Sequence, residues 1–480
     1  MAARVTVIGA GPGGYHAALR AARGGAQVRL VEAERPGGTC LNRGCIPTKA
    51  LVASARVLAA ARRLKEFGLA GDCHPRADLA ATQARTHKVV QTQRQALQRL
   101  ISAHGIELIP GRGRLSPDAA VEVELPGGGH RRLESEAVII ATGSAPAGLP
   151  GLEPDGEHIL DSDHLLRLKE LPASLAVVGG GVVGCELAGV MAALGVEVTV
   201  VEAQERLLPI PSLEPEVSRL LAREFKKAGI RSHTGMVVEG WEAAGGGVRL
   251  RLGPSPLVEH RRVPRPVELV VERVLVAVGR RLRSDGLGLE AAGVERDARG
   301  AIVVDERLET TRPGVYAVGD VLGTRRPLLA HLAAAEGELA ADNALGAERT
   351  MDYRVVPAVA FTFPEAAWVG LSRAQAAEHG LNASAHSFLF RALGQAHALG
   401  EIAGQATLVV EEGSGRLLGA HLVGAHASEM IAACALALKL GAGARQVAET
   451  ICAHPTLSEA VQQAAAAALG ECLYTPPPRA

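Results

Sequence analysis

The sequence predicts an α/β protein, and three observations carry that expectation. A buried-strand run, Val5-Thr6-Val7-Ile8, leads straight into Gly9-Ala10-Gly11-Pro12-Gly13-Gly14 and a helix-like stretch from Tyr15 to Ala22. The same order returns at Leu175-Ala176-Val177-Val178, at Gly179 to Gly184, and in a helical segment through Leu194. After about residue 350 no glycine motif recurs, and strands separated by turns are followed by long alanine-rich helices. The expected architecture is two Rossmann-like dinucleotide-binding domains plus a C-terminal α+β domain, a candidate subunit interface because it lacks a cofactor motif. A chain of 480 residues is too long for a single core and needs several domains in any case. The boundaries read as 1–147, 148–277, a central part over 278–349 that returns to the first domain, and 350–480.

In G-x-G-x-x-G the glycines permit a tight turn and a close backbone approach to a pyrophosphate, which rests on the helix N-terminus. One such motif is weak evidence, since plain glycine-rich turns produce it often. Here each copy is completed by a second strand ending in an acid, Glu32 and Glu202, at the same interval from its first glycine. Each acid is placed to hydrogen-bond a ribose hydroxyl, and at Glu202 a carboxylate repels a 2′-phosphate, so the second site is expected to prefer NAD over NADP. The plain alternative for Glu202 is an exposed strand-end acid. Two dinucleotide sites in one chain suggest two cofactors that pass electrons between them.

After the first copy comes Gly37-Gly38-Thr39-Cys40-Leu41-Asn42-Arg43-Gly44-Cys45-Ile46-Pro47-Thr48-Lys49, ahead of an alanine-rich helical stretch from Ala50. This places two cysteines in a glycine-rich turn, with Cys45 near a helix N-terminus that favours thiolate. Read from the residues alone, three roles stand: a redox pair, two small buried hydrophobes, or a zinc half-site. The zinc reading is opposed by the long spacing and by the lack of a second close pair.

Residues 50–104 read as a helical pair broken near Gly68 to Pro75, where Cys73 and His74 are expected to be exposed loop residues. From Gly105 to Ile140 short strands form a small antiparallel layer that ends in Ala141-Thr142-Gly143-Ser144. Pro146 to Pro154 reads as a linker. Glu186, one turn beyond Gly184, complements the helix dipole. Gly245 to Val267, with its basic run at Arg261 and Arg262, reads as a solvated insert loop, and Val274 to Val278 with Gly279 closes the second unit. Thr310 to Asp320 is a turn, a buried strand and a Gly-Asp end; Asp320 points into a ligand crevice or caps the helix that follows, and both roles are compatible. Ala330 and His331 lie in that next helical run. In His454-Pro455-Thr456-Leu457-Ser458-Glu459, Pro455 holds His454 extended, and Thr456 with Glu459 fits a capping box. A histidine held beside a carboxylate is equally how a general acid/base is built.

The totals exclude several functions. Lys+Arg and Asp+Glu balance at 51 each, so no global field draws the chain to nucleic acid or to an anionic membrane. Aromatic residues, at 2%, are too sparse for base-stacking platforms. Seven scattered cysteines fit a reducing compartment better than a disulfide framework. Glycines interrupt the first apolar run, which argues against a secretory signal, and no apolar run reaches membrane-spanning length. The expectation is a soluble, cytoplasmic protein with no nucleic-acid or membrane partner.

In order along nearly the whole chain, these stretches resemble the pyridine nucleotide-disulfide oxidoreductases: the first G-x-G-x-x-G, G-G-T-C-x4-C-I-P-T-K, Ala-Thr-Gly, the second fingerprint, Y-A-V-G-D and H-P-T-x-S-E. The paired cysteines combined with the last hexapeptide are highly specific for that group. The resemblance implies a redox disulfide in which Cys40 is the interchange thiol and Cys45 faces the flavin. It implies that Lys49 lies near the flavin's reactive nitrogen and pairs with Glu186, and that His454 and Glu459 serve the active site of the partner subunit in a homodimer. Gly9, Gly11, Gly14, Glu32 and Asp320 match FAD-binding positions, and Gly179, Gly181, Gly184 and Glu202 match NAD-binding ones. Lys49, Thr142, Gly143, Gly279, Ala330 and His331 join the cofactor-binding set, and no metal is implied. The reaction so implied is oxidation of protein-bound dihydrolipoamide with reduction of NAD, and the partner a lipoyl-bearing protein of a 2-oxo acid dehydrogenase complex or the glycine cleavage system. A glutathione-reductase-like enzyme normally needs basic residues where Glu202 stands, and a mercuric-reductase-like enzyme needs a terminal cysteine pair where Cys472 stands alone. A non-catalytic FAD-binding subunit gives no reason for intact cysteines, Lys49 and His454. The chain departs from the group at Cys452, often histidine in members, and at Leu282 and Arg283, often a proline-asparagine pair.

Overall fold

The computed structural model describes residues 2–71, 74–260 and 264–474, so Cys73, Arg261 and Arg262 lie outside the described residues; His74 is exposed. The chain forms two compact units. The first comprises Met1–Leu51, Asp78–Ala147 and Arg280–Asp352. Its centre is a five-stranded parallel sheet in the order Val315–Ala317, Ala137–Ile140, Arg4–Ile8, Gln27–Glu32, Glu107–Pro110. Parallel strands are covered on both faces, which is why Val5, Thr6, Val7 and Ile8, and Ala137 to Ile140 beside them, are all buried without alternation. The helices Pro12–Arg23 and Ala330–Ala344 meet backbone to backbone: a Cβ on Gly337 would stand 2.2 Å from the Gly13 carbonyl oxygen. A three-stranded antiparallel sheet, Arg112–Leu115, Val121–Glu124 and His130–Leu133, adds Leu115, Val121, Val123 and Leu133 to the same core. Arg280–Leu282 pairs antiparallel with Ser144–Pro146.

The second unit comprises Val52–Ala77, Gly148–Gly279 and Tyr353–Ala480. It repeats the parallel motif in a five-stranded sheet ordered Arg231–Thr234, Glu197–Glu202, Ser174–Val178, Arg273–Val276, Ile159–Leu160. A separate five-stranded antiparallel sheet, ordered Ala358–Ala360, Ala366–Gly370, Leu417–Val423, Gln405–Glu411, Ala383–Leu389, forms the C-terminal layer with the helices Ala427–Lys439 and Glu459–Ala468.

Two expectations need correction. Gly247–Pro254 is not an insert loop but the middle strand of an antiparallel sheet with Met236–Ala244 and Val267–Val271, and Val248, Leu250 and Leu252 are fully buried. The run Val248-Arg249-Leu250-Arg251-Leu252 is itself a period-2 alternation, leucine and valine inward and arginine outward, and the glycines and prolines around it are what give the segment the look of a loop. Secondly, Gly38–Ala61 reaches a mean hydropathy of 1.2 and is long and apolar enough, by length and composition alone, to cross a membrane. It is two helices meeting at Gly44, interrupted by Arg43 and Lys49, with Ala50, Leu51, Val52, Ala55 and Leu58 buried in protein.

Candidate active site

The first glycine turn is dictated by sterics. Gly9 has φ +99 and a Cβ there would lie 2.4 Å from the Ala141 carbonyl oxygen, while a Cβ on Gly14 would lie 1.8 Å from the Gly9 oxygen. The following helix starts after Gly11 with no side chain capping it, so its first amides are left for a ligand. Glu32, at the end of the neighbouring strand, braces the turn: one carboxylate oxygen accepts from the Ala10 amide at 2.7 Å and the other from Glu34 at 2.8 Å. Burial pushes the Glu32 carboxyl up, against the pull of those two amides.

The second turn repeats this almost atom for atom. Gly179 has φ +108 with a Cβ position 2.4 Å from the Ala277 oxygen, and a Cβ on Gly184 would lie 1.9 Å from the Gly179 oxygen. Glu202 accepts from Gly180 at 2.5 Å and from Gln204 at 2.7 Å, and is buried. This excludes the plain reading of an exposed strand-end acid. A Cβ on Gly181, which opens the uncapped helix Val182–Leu194, would meet nothing within 4 Å, and the same holds at Gly143 and Gly279, two residues beyond Ala141 and Ala277. Both turns therefore keep open faces beside free helix amides, which fits two dinucleotides.

The cysteines are not in a turn. Cys40 lies in a short helix, Gly38–Arg43, and the next helix begins at Cys45, five residues earlier than the sequence suggests. That helix is docked on the first glycine turn: Gly37 donates to the Ala10 oxygen at 2.7 Å, and Gly38, with φ +56, sits so close that a Cβ would be 2.6 Å from Gly11 Cα. Asn42, which sequence reasoning did not single out, clamps the segment by donating to Pro36 and Gly38 oxygens at 3.0 and 2.9 Å while accepting from Arg94. Cys40 and Cys45 are both reduced, with no disulfide between them, and of intermediate exposure. The Cys40 thiol is pushed up strongly, first by its hydrogen bond to Cys45, then by burial and by charge on Cys45, with Lys49 pulling the other way. Tyr15 is pushed up as well, first by burial and then by charge on the two cysteines.

Asp320 lies inside the short turn Gly319–Leu322, whose N-cap is Val318 with no side-chain cap, so it does not cap the turn. It accepts instead from Ser144 Oγ, which in turn accepts from Arg280 Nε at 2.6 Å. Thr142 Oγ1 donates to the Arg283 oxygen at 2.7 Å and Arg283 donates back to the Gly143 oxygen at 2.9 Å. The Arg283 guanidinium lies 3.6 Å from Glu34, whose carboxyl is held low first by Arg43. Ala330 and His331 open the helix Ala330–Ala344.

In the second unit Glu186 is buried within Val182–Leu194 and accepts from the Phe361 amide at 2.8 Å. His454 is exposed, its side chain at 75%, and its Nδ1 lies 3.1 Å from Glu459. The helix begins at Glu459 after Ser458, so Thr456 is not its N-cap. Glu459 divides its oxygens, one to the Thr456 amide at 2.8 Å and the other to His454, so bracing the loop and orienting the imidazole are not rivals.

Comparison with known proteins agrees with this layout. The family description pyridine nucleotide-disulphide oxidoreductase matches residues 3–337, and the dimerisation domain of the same family matches 356–465. The chain is 40% identical over 475 residues to a protein of Chlamydia muridarum named dihydrolipoyl dehydrogenase, covering 98% of both. It is 42% identical over 462 residues to one of the same name from Thermus scotoductus, covering 96% of both. Among solved structures, LpdA of Mycobacterium tuberculosis superposes with a TM-score of 0.87 at 29% identity, over 96% of this chain and 99% of that one. The HOCl-induced flavoprotein disulfide reductase RclA of Escherichia coli gives 0.83 at 27% identity, over 97% and 99%. The chain therefore belongs to the pyridine nucleotide-disulphide oxidoreductases and is a flavin disulfide oxidoreductase that works with FAD and NAD.

Proposed function

We propose that the enzyme oxidises a protein-bound dihydrolipoyl dithiol and reduces NAD. The observation that carries this is the Cys40 and Cys45 dithiol mounted on the first glycine turn, in a chain whose relatives named dihydrolipoyl dehydrogenase match it from end to end. Gly9, Gly11, Gly14, Glu32, Thr142, Gly143, Asp320, Ala330 and His331 would hold FAD; Gly179, Gly181, Gly184, Glu202 and Gly279 would hold NAD. Lys49 and Glu186 are the residues that the resemblance assigns to the flavin's reactive side. Bound FAD supplies a two-electron relay between the cysteine pair and NAD.

The oxidised pair is a Cys40–Cys45 disulfide. A substrate thiolate attacks Cys40 Sγ, the bond to Cys45 breaks, and Cys45 leaves as thiolate at a helix N-terminus that stabilises its charge. The second substrate thiol then attacks the substrate sulfur bound to Cys40. This closes the substrate disulfide and frees Cys40, so the substrate loses two electrons that the cysteine pair gains. His454 of the partner subunit takes the proton released when the substrate thiol becomes thiolate, with Glu459 of the partner subunit holding its ring. In the reduced pair the remaining proton is assigned to Cys40 and the charge to Cys45, whose place at a helix N-terminus favours thiolate.

This reading entails a homodimer, a lipoyl-bearing partner protein and a cytoplasmic setting. The glutathione-reductase-like, mercuric-reductase-like and structural-subunit readings are not favoured by the relatives matched. The test is NAD reduction by dihydrolipoamide with the FAD-loaded protein, with NADP compared as acceptor. Turnover with NAD alone supports the reading; no turnover while NADH still reduces the flavin overturns the substrate and leaves the cofactor sites standing.

A further inference from the structure

Glu336 is a buried carboxylate that none of the chemistry above uses. It lies on the helix Ala330–Ala344, is 2% exposed, and accepts the Gly319 amide hydrogen at 2.7 Å, with its other oxygen 3.8 Å from Arg326 Nη1. A carboxylate so deeply buried is a poor source of stability, because desolvation offsets most of what its partners return. Its position suggests a geometric role. Gly319 has φ +75 and leads directly into Asp320, in a turn with no side-chain cap. A Cβ on Gly319 would lie 3.1 Å from Ala333 Cβ, so the turn is stopped on the side of the helix, and the Glu336 hydrogen bond keeps it from moving away. The next residue, Gly337, locks the same helix against Gly13 of the first glycine turn.

We propose that Glu336 is a positioning residue for FAD: it fixes the Gly319 and Asp320 turn so that the Asp320 carboxylate, already engaged by Ser144, is presented in one geometry together with the glycine turn. The proposal rests on the reading that Asp320 contacts FAD. Three variants of the holoenzyme test it, E336L, E336Q and D320A. FAD release is followed by flavin fluorescence on dilution, and unfolding by circular dichroism of the same samples. Leucine fills the space without accepting from Gly319 and also removes the charge facing the buried Arg326 Nη1; glutamine keeps the acceptor while removing the same charge. E336L is expected to release FAD roughly ten- to a hundredfold faster at temperatures well below unfolding, and E336Q to stay within about threefold of the parent. Rapid release from D320A is expected alongside. If E336L holds FAD like the parent while D320A sheds it, or if E336Q is as impaired as E336L, the proposal is overturned. FAD loss that only accompanies unfolding overturns it too, by making Glu336 structural. If D320A itself retains FAD, the underlying reading of Asp320 has failed instead.

Discussion

Replacing Glu202 with glutamine separates the two cofactor sites most cleanly. In the parent one carboxylate oxygen takes the Gly180 amide at 2.5 Å and the other takes Gln204 at 2.7 Å, with 6% of the residue exposed. Glutamine has the same volume but a single acceptor, so its amide nitrogen is forced against one backbone donor. A hydrogen bond to a charged group is worth about 1.5–3 kcal/mol and an orphaned buried amide costs about 1–3 kcal/mol, so a loss of about 2–4 kcal/mol in the stability of the second unit is expected. On the proposed reading Glu202 also accepts from the NAD ribose, so that contact is weakened as well, and a loss of about 1.4 kcal/mol there raises KM for NAD roughly tenfold. FAD retention is expected to stay unchanged, because the acid serving the first turn is Glu32; E32Q is expected to give the reverse pattern. Urea unfolding followed by circular dichroism, steady-state KM for NAD and flavin fluorescence report the three quantities. An E202Q enzyme with the parental unfolding midpoint and KM would refute the bracing argument, and one that sheds FAD while binding NAD normally would refute the assignment of the two turns.

Gly38→Ala is expected to be far more damaging than Gly143→Ala, although both glycines have left-handed φ, because only at Gly38 does the added Cβ meet backbone, at 2.6 Å from Gly11 Cα; comparing FAD content after purification decides it. His454→Gln is expected to slow dihydrolipoamide oxidation by roughly 10²–10⁴-fold while leaving reduction of the flavin by NADH intact, measured by stopped-flow absorbance, and equal losses in both half-reactions would contradict the proton-transfer role. Acid stability carries a further test. Glu136, hydrogen-bonded by Arg4, and Asp118, held by Ser116 and then Arg132, are both pulled down to about 2 from ordinary values of 4.5 and 3.8. Groups depressed in the folded state stabilise it above their unfolded pKa and lose that contribution as pH falls through the folded one. The melting temperature is therefore expected to fall from about pH 4.5 toward pH 2 and to fall less steeply in Glu136→Gln; a parent that melts higher as it is acidified contradicts the sign.

What was legible in the sequence is what local sterics enforce. Gly9, Gly14, Gly179 and Gly184 are readable because any side chain there collides with backbone less than 2.5 Å away. Strand, turn, helix and acid follow as a local consequence of each turn. What was not legible depends on distant partners. The six-residue helix holding Cys40 has no periodicity to announce it and forms because Gly37 and Gly38 adopt left-handed φ against Ala10 and Gly11. Asn42 and Glu336 are single polar residues whose meaning lies in Arg94 and Gly319, on other elements of the chain. At Glu459 the sequence posed cap and catalyst as competitors, and only side-chain geometry shows one oxygen on the Thr456 amide and the other beside the His454 ring.

The two turns also explain why one of them carries thiols. In both, the carbonyl of the second motif residue is claimed by an amide from beyond the closing acid: Gly37 donates to Ala10 at 2.7 Å, and Leu208 donates to Gly180 at 2.8 Å. Both donors have left-handed backbone, with φ of 98 and 48. The platform is thus the same, and what differs is the segment it holds. In the second copy Leu207 and Leu208 are buried and close the turn with hydrocarbon. In the first, the chain continues through Gly38 into Cys40, and the lack of a Cβ lets that helix lie directly on Gly11. The register of the dithiol is consequently set by the same hydrogen bonds that shape the first turn, from the Glu32 carboxylate through Ala10 to Gly37. A substitution that loosens this turn must move the cysteine pair with it, whereas loosening the second turn leaves the pair's own anchoring untouched.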